Sequence, residues 1–199
     1  MRKIPCDLEN PIDNVIYDLS NRLCPFFYKT GHTPNMITTY SLIMGVLSCY
    51  FLWKGQVVLF GICYAISYFF DCMDGHFARK YKMTSKFGDM YDHIKDVAVY
   101  LILIIVIYTK CSKNINIPLI LLFLVFTCLL IINTGCQQKN CTKDDENPDD
   151  SKSLNITRSL CPNKDAIKWT RYFGAGSYTL FLILIISYIC YNRSENCKF

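Results

Sequence analysis

The sequence predicts an all-α polytopic membrane protein: a bundle of five transmembrane helices preceded by an amphipathic helix. Three observations carry this. The 199-residue chain is 52% hydrophobic and only 19% charged. Its apolar residues gather in blocks near the ~20 residues a helix needs to cross a bilayer. Its mean hydropathy of +0.20 averages those blocks with polar segments, so the local windows decide. The same composition argues against a disordered chain. A net charge of +5 with no strongly basic face argues against a nucleic-acid partner.

The elements follow in order. In Pro11–Lys29, Val15, Ile16, Leu19, Leu23 and Phe26 recur at helical spacing, which suits a helix lying on the membrane surface. Thr33-Pro34-Asn35 then leads into the first span, Met36–Trp53, which carries no charge. The second span begins at Val57 and runs through apolar residues into Asp71. The third begins near Gly88 and ends at Tyr108. The fourth is Ile117–Asn133, with Pro118 in its first turn, where a missing N–H costs little. The fifth is Phe173–Tyr191. Thr142–Lys152 has no hydrophobic residue and reads as a linker.

The second and third spans are too short on apolar residues alone. Each reaches spanning length only with its polar end at membrane depth, and those ends face each other across Gly75–Phe87. With the N-terminus in the cytoplasm, fifteen Lys and Arg residues fall on that side and five on the other, so the polar ends face the cytoplasm. The chain then divides into a cytoplasmic segment 1–35, a four-span membrane domain 36–135, a polar cytoplasmic loop 136–171, and a last span with its tail, 172–199. No cleavable leader is expected, because Met1–Lys29 has no continuous apolar core.

The twelve cysteines show no repeated spacing, and four of them (Cys49, Cys63, Cys128 and Cys190) lie inside apolar runs as small hydrophobes. Cys136, Cys141 and Cys161 lack the partners for a zinc set. Free thiols in a reducing compartment are expected.

The polar ends of the second and third spans hold the chemistry. One Asp at a membrane helix centre costs ~2.5–3.5 kcal/mol, and four would cost on the order of 10 kcal/mol before depth and water access are counted. Asp71 and Asp74 are spaced i,i+3; Gly88, Asp92 and Asp96 step by four, so each helix carries its acids on one stripe. Facing carboxylates suit a hard divalent cation, above all one that also binds substrate phosphates. Gly75 and Gly88 allow a phosphate-bearing group near the backbone, and Arg79 offers a planar phosphate donor.

Asp71-x2-Asp74-Gly75-x2-Ala78-Arg79-x8-Gly88-x3-Asp92-x3-Asp96 resembles the signature of the CDP-alcohol phosphotransferase (phosphatidyltransferase) family at all eight fixed positions over 26 residues. The resemblance covers Pro11–Tyr108 well and the remainder loosely. It implies an enzyme that moves a substituted phosphate from a CDP-alcohol to an acceptor alcohol and releases CMP. By position, Asp71, Asp74, Asp92 and Asp96 would hold two Mg2+ or Mn2+ ions, with Asp96 also the general base. Gly75, Ala78, Arg79 and Gly88 would hold the cytidine diphosphate. The resemblance further implies phospholipid synthesis, a CDP-alcohol and a membrane lipid as substrates, a homodimer, and, in a eukaryote, the endoplasmic reticulum or a related endomembrane.

Two departures stand out. Members usually have six spans, against five expected here, and the amino-alcohol branch is usually longer, although Asp92-His93 resembles that branch. The donor stays open between CDP-choline or CDP-ethanolamine with diacylglycerol, and CDP-diacylglycerol with a polar alcohol. A non-enzymatic cation-binding carrier or an inactive relative of the family is the competing reading, but carriers commonly show internal repeats and broken helices, of which none is visible here, and the intact motif, Arg79 and Asp96 included, argues against decay. Among the neighbours, Lys95 is expected to pair with a carboxylate or snorkel, Asp89 to face solvent or support the site, and His76 to pack.

Overall fold

The computed structural model describes residues 5–111, 115–140 and 157–196. The Thr142–Lys152 linker and Cys141 lie outside them. Among the described residues six long helices dominate: α1 (Pro11–Lys29), α2 (Pro34–Trp53), α3 (Val57–Lys80), α4 (Lys86–Cys111), α5 (Ile117–Asn140) and α6 (Ala175–Asn196). Short helical turns at Lys164–Ala166, Ile167–Thr170 and Arg171–Phe173 precede α6. No strand occurs among the described residues.

Among the described residues, four segments are long and apolar enough to cross a membrane: α2, α3, α5 and the stretch Lys164–Cys190. The fifth expected span is α4. Its 26 residues exceed a bilayer's need, but Lys86, Asp89, Asp92, Lys95 and Asp96 occupy its first half. Only the segment after Asp96 is continuously apolar, so α4 meets the length and not the composition.

Backbone capping accounts for the helix ends. Thr33 accepts a hydrogen bond from the Met36 N–H at 3.4 Å, and Pro34 takes the first helical position of α2, where its missing N–H is harmless. α1 closes with His32 N–H on the Phe27 carbonyl and Gly31 at φ 78°; α2 closes with Gln56 N–H on the Phe51 carbonyl and Gly55 at φ 76°. Both are left-handed closures that glycine adopts without a Cβ penalty. The end of α3 makes the same closure, Met83 N–H to the Ala78 carbonyl, with Lys82 at φ 55° in the glycine's place.

The chain forms two compact units. One comprises Ile16–Asn116 and Thr179–Phe199. In it α2 packs on α3 and α4. Ser41 and Ser67 exchange hydrogen bonds with each other's carbonyl at 2.9 and 2.8 Å. Gly45 lets the helices close up, since a Cβ there would lie 2.9 Å from a Val99 methyl. Cys24, Ile37, Met73 and Phe77 form a fully buried cluster that seats α1 on α2 and α3. Pro25 cannot donate to the carbonyl of Asn21, four residues back, and Lys80 Nζ takes that carbonyl at 3.2 Å and the Asn21 side-chain oxygen at 2.6 Å. Tyr28 and Tyr81 stack at 4.0 Å between ring centroids. Val15, Leu19 and Phe26 remain uncovered at 69%, 47% and 62% exposure, as an apolar face toward a membrane surface requires.

The other unit comprises Met1–Val15 and Ile117–Tyr178. Asn10, fully buried, caps α1 by accepting from Ile12 N–H at 2.9 Å and donates to the Arg171 carbonyl and the Ser177 hydroxyl. α5 continues to Asn140, seven residues past the expected Asn133, because its polar end finds partners in Glu9, Cys161 and Lys164. The free-thiol expectation is corrected here: Cys136 and Cys161 form a disulfide, buried with Ile167. Their Cα atoms lie 5.0 Å apart, inside bonding range, because the 157–170 segment folds back on the end of α5.

Candidate active site

The end of α3 and the start of α4 build the site, and α2 closes its side. Ser85 caps α4, accepting from Gly88 N–H at 3.0 Å, which fixes where the helix begins and hence the phase of Gly88, Asp92 and Asp96. A cavity of about 150 Å³ opens between the helices. Its walls include Asp74, Gly75, Ala78, Arg79, Gly88 and Asp92, six of the eight signature positions. Pro34, Asn35 and Thr38 of α2, the Met83–Ser85 connection and Asp89 complete it.

The other two positions, Asp71 and Asp96, lie with Asp92 in a second cluster whose carboxylate oxygens come within 4.8 Å of one another. Lys95 fills its centre. The ammonium bonds the Asp71 carboxylate and lies 3.0 Å from Asp92 Oδ1 and 2.8 Å from Asp96 Oδ1. Its side chain is 2% exposed, whereas that of Asp96 is 60% exposed. Asp96 also borders a shallow apolar hollow lined by Val97, Tyr100 and Leu101.

Each remaining group has a physical reason for its place. Asp74, only 6% exposed, accepts a 2.6 Å hydrogen bond from the Thr38 hydroxyl, which offsets part of the cost of burying a carboxylate. A Cβ on Gly75 would stand 3.2 Å from an Arg79 guanidinium nitrogen, so the glycine leaves that group room. A Cβ on Gly88 would stand 2.9 Å from Asn35 Oδ1 and 3.0 Å from Ser85 Oγ. The Nε of Arg79 is buried without a hydrogen-bond partner among the described residues, a donor left for an anion. His76 is buried and packs on Tyr17 at 4.2 Å between rings. His93 is exposed, with Nδ1 2.8 Å from the Asp89 carbonyl.

The donor set fits a hard divalent cation. All the ligand atoms are carboxylate oxygens, Asp92 Oδ1 is buried without an aligned hydrogen bond, and a cation already stands among three of the carboxylates. Sequence reasoning did not find Thr38 or the central place of Lys95. Each lies on a helix whose rotation the sequence leaves undetermined.

The protein is thus an integral membrane helical bundle that gathers acids and an arginine at the ends of two adjoining helices. The chain belongs to the CDP-alcohol phosphatidyltransferase family, whose model matches residues 31–148. It is similar to archaetidylinositol phosphate synthase of Pyrococcus horikoshii, with 35% identity over 66 residues, which is 33% of this chain and 35% of that one. The similarity thus spans about a third of the relative's length. No solved structure is a significant match.

Proposed function

We propose that the chain is a CDP-alcohol phosphotransferase of phospholipid synthesis, dependent on Mg2+ or Mn2+. The support is the convergence of six signature positions on one cavity, with the other two meeting Asp92 at its edge. Asp71, Asp74, Asp92 and Asp96 are the acidic set within which divalent metal would be held, and metal bound there supplies positive charge to the diphosphate and acidifies the acceptor hydroxyl. Arg79 binds the diphosphate through its guanidinium, whose buried Nε has no hydrogen-bond partner among the described residues, and Gly75, Ala78 and Gly88 keep that wall of the cavity low. Asp96 takes the proton of the acceptor alcohol. The acceptor oxygen bonds to the phosphorus that carries the donated alcohol, the bond from that phosphorus to the bridging oxygen breaks, and CMP leaves with that oxygen.

Asp96 stands where a polar cluster meets an apolar hollow, which suits a reaction with one lipid and one water-soluble partner. The excess of Lys and Arg on one side supports an active site that faces the cytoplasm, in an endomembrane such as the endoplasmic reticulum if the source is eukaryotic. A homodimer belongs to the same reading.

The test is CMP release by purified protein in detergent–lipid micelles with Mn2+ or Mg2+. One arm supplies CDP-choline or CDP-ethanolamine with diacylglycerol. The other supplies CDP-diacylglycerol with polar alcohols. Metal-dependent release in one arm establishes the reaction and its donor. Folded protein that releases no CMP in either arm would refute it.

A further inference from the structure

We propose that Lys95 is a cation built into the site. It takes the place of one of the two divalent ions expected from the sequence, so that the chain loads one ion per site. The inference rests on the function proposed above and specifies how that site is charged.

The first argument is occupancy. The Lys95 ammonium touches an oxygen of Asp71, of Asp92 and of Asp96 together, and its side chain is 2% exposed. A Mg2+ ion would draw carboxylate oxygens to about 2.0–2.1 Å. The ammonium at the centre of the same three carboxylates fills that space, so one volume has two claimants.

The second argument is that the ammonium has nowhere better to go. It sits on the helix that carries two of its acids, three residues after Asp92 and next to Asp96. Its other polar contact is the Ser41 hydroxyl, 3.5 Å away, buried and neutral. Moving it toward α2 would exchange three carboxylates for one hydroxyl and leave an unpaired charge at membrane depth.

The third argument is how the carboxylates are divided. Asp74 and Asp92 line the cavity with Arg79, whereas Asp71 and Asp96 do not. Asp92 stands in both groups, since it also touches Lys95, and a single divalent ion would be shared between it and Asp74, beside the phosphate-binding wall. Asp71 and Asp96 are served by Lys95, which makes Lys95 a positioning residue for the base.

The experiment counts Mn2+ bound per full-length chain in detergent–lipid micelles, from the electron paramagnetic resonance signal of free Mn2+. Wild type is expected to bind one ion. Lys95→Met, uncharged and of similar length, is expected to bind two. Asp96→Asn is expected to lose CMP release yet keep the single ion with an affinity within about twofold, because Asp96 faces Lys95 rather than the ion. A wild-type count of two overturns the proposal, and so does a count of one in folded Lys95→Met. If Lys95→Met does not fold, loss of the ion in Asp96→Asn overturns it. A wild type that binds two ions and releases CMP leaves the proposed function standing. A wild type that neither binds Mn2+ nor releases CMP removes the function and this inference together.

Discussion

Replacing Thr38 by Val tests the site's dependence on a residue outside the signature. Valine keeps the shape and removes the hydroxyl. The lost bond is the 2.6 Å donation to Asp74 Oδ2, made where Thr38 is 2% and Asp74 6% exposed. Hydrogen bonds to charged groups contribute about 1.5–3 kcal/mol, and at this depth water does not readily replace the donor. That range corresponds to about 13- to 160-fold, which overlaps the roughly 10- to 100-fold scale on which outer partners of metal-binding carboxylates act. Thr38→Val should therefore raise the Mn2+ concentration for half-maximal CMP release by about 10- to 100-fold. Thr38→Ser, which keeps the donor, should restore most of the loss. The assay is a Mn2+ titration of CMP release at fixed substrates, with a thermal melt to confirm folding. A Thr38→Val protein with wild-type Mn2+ dependence would refute the reasoning that this bond sets the poise of Asp74.

Three further outcomes are expected. Gly88→Ala brings a methyl to 2.9 Å from Asn35 Oδ1 and 3.0 Å from the capping Ser85 Oγ, and should lower stability in a thermal melt by about 1 kcal/mol as the cap is lost, with a fall in CMP release. Lys82→Gly relieves a left-handed conformation at the end of α3, a strain of about 1–2 kcal/mol partly offset by glycine's freedom in the unfolded chain; a net gain of about 0.5–1 kcal/mol should raise the melting temperature. Cys161→Ser opens a disulfide between cysteines 25 residues apart, and should destabilise the oxidised protein by about 3 kcal/mol while leaving the reduced protein's melting temperature nearly unchanged.

The sequence revealed different parts of the fold for different physical reasons. Hydropathy and end signals located α1 from Pro11 to Lys29 and the start of α3 at Val57, because a helix long enough to cross or lie on a membrane writes its length into consecutive residues. The start of α4 was read near Gly88 rather than Lys86, because the cap is a single serine. α5 ran past its apolar stretch because its last two turns are held by partners distant in sequence, among them Glu9 and Cys161. The acidic stripes were visible from i,i+3 and i,i+4 spacing within one helix. Across helices nothing local helps: Thr38 reaches Asp74 over 36 residues and Lys95 reaches Asp71 over 24, and both depend on how each helix is rotated. The Cys136–Cys161 pair was hidden for the same reason.

The setting of Asp96 has a kinetic consequence. The side chain proposed as the base is 60% exposed and borders an apolar hollow, so in that role it would work at a boundary between two solvents. For the lipid partner, the relevant variable is then its mole fraction among the surrounding amphiphiles and not its amount per litre. Diluting the lipid with inert detergent at constant bulk concentration should slow turnover, whereas adding more micelles of unchanged composition should not. The protein would obey the mass action of a surface for one substrate and of a solution for the other.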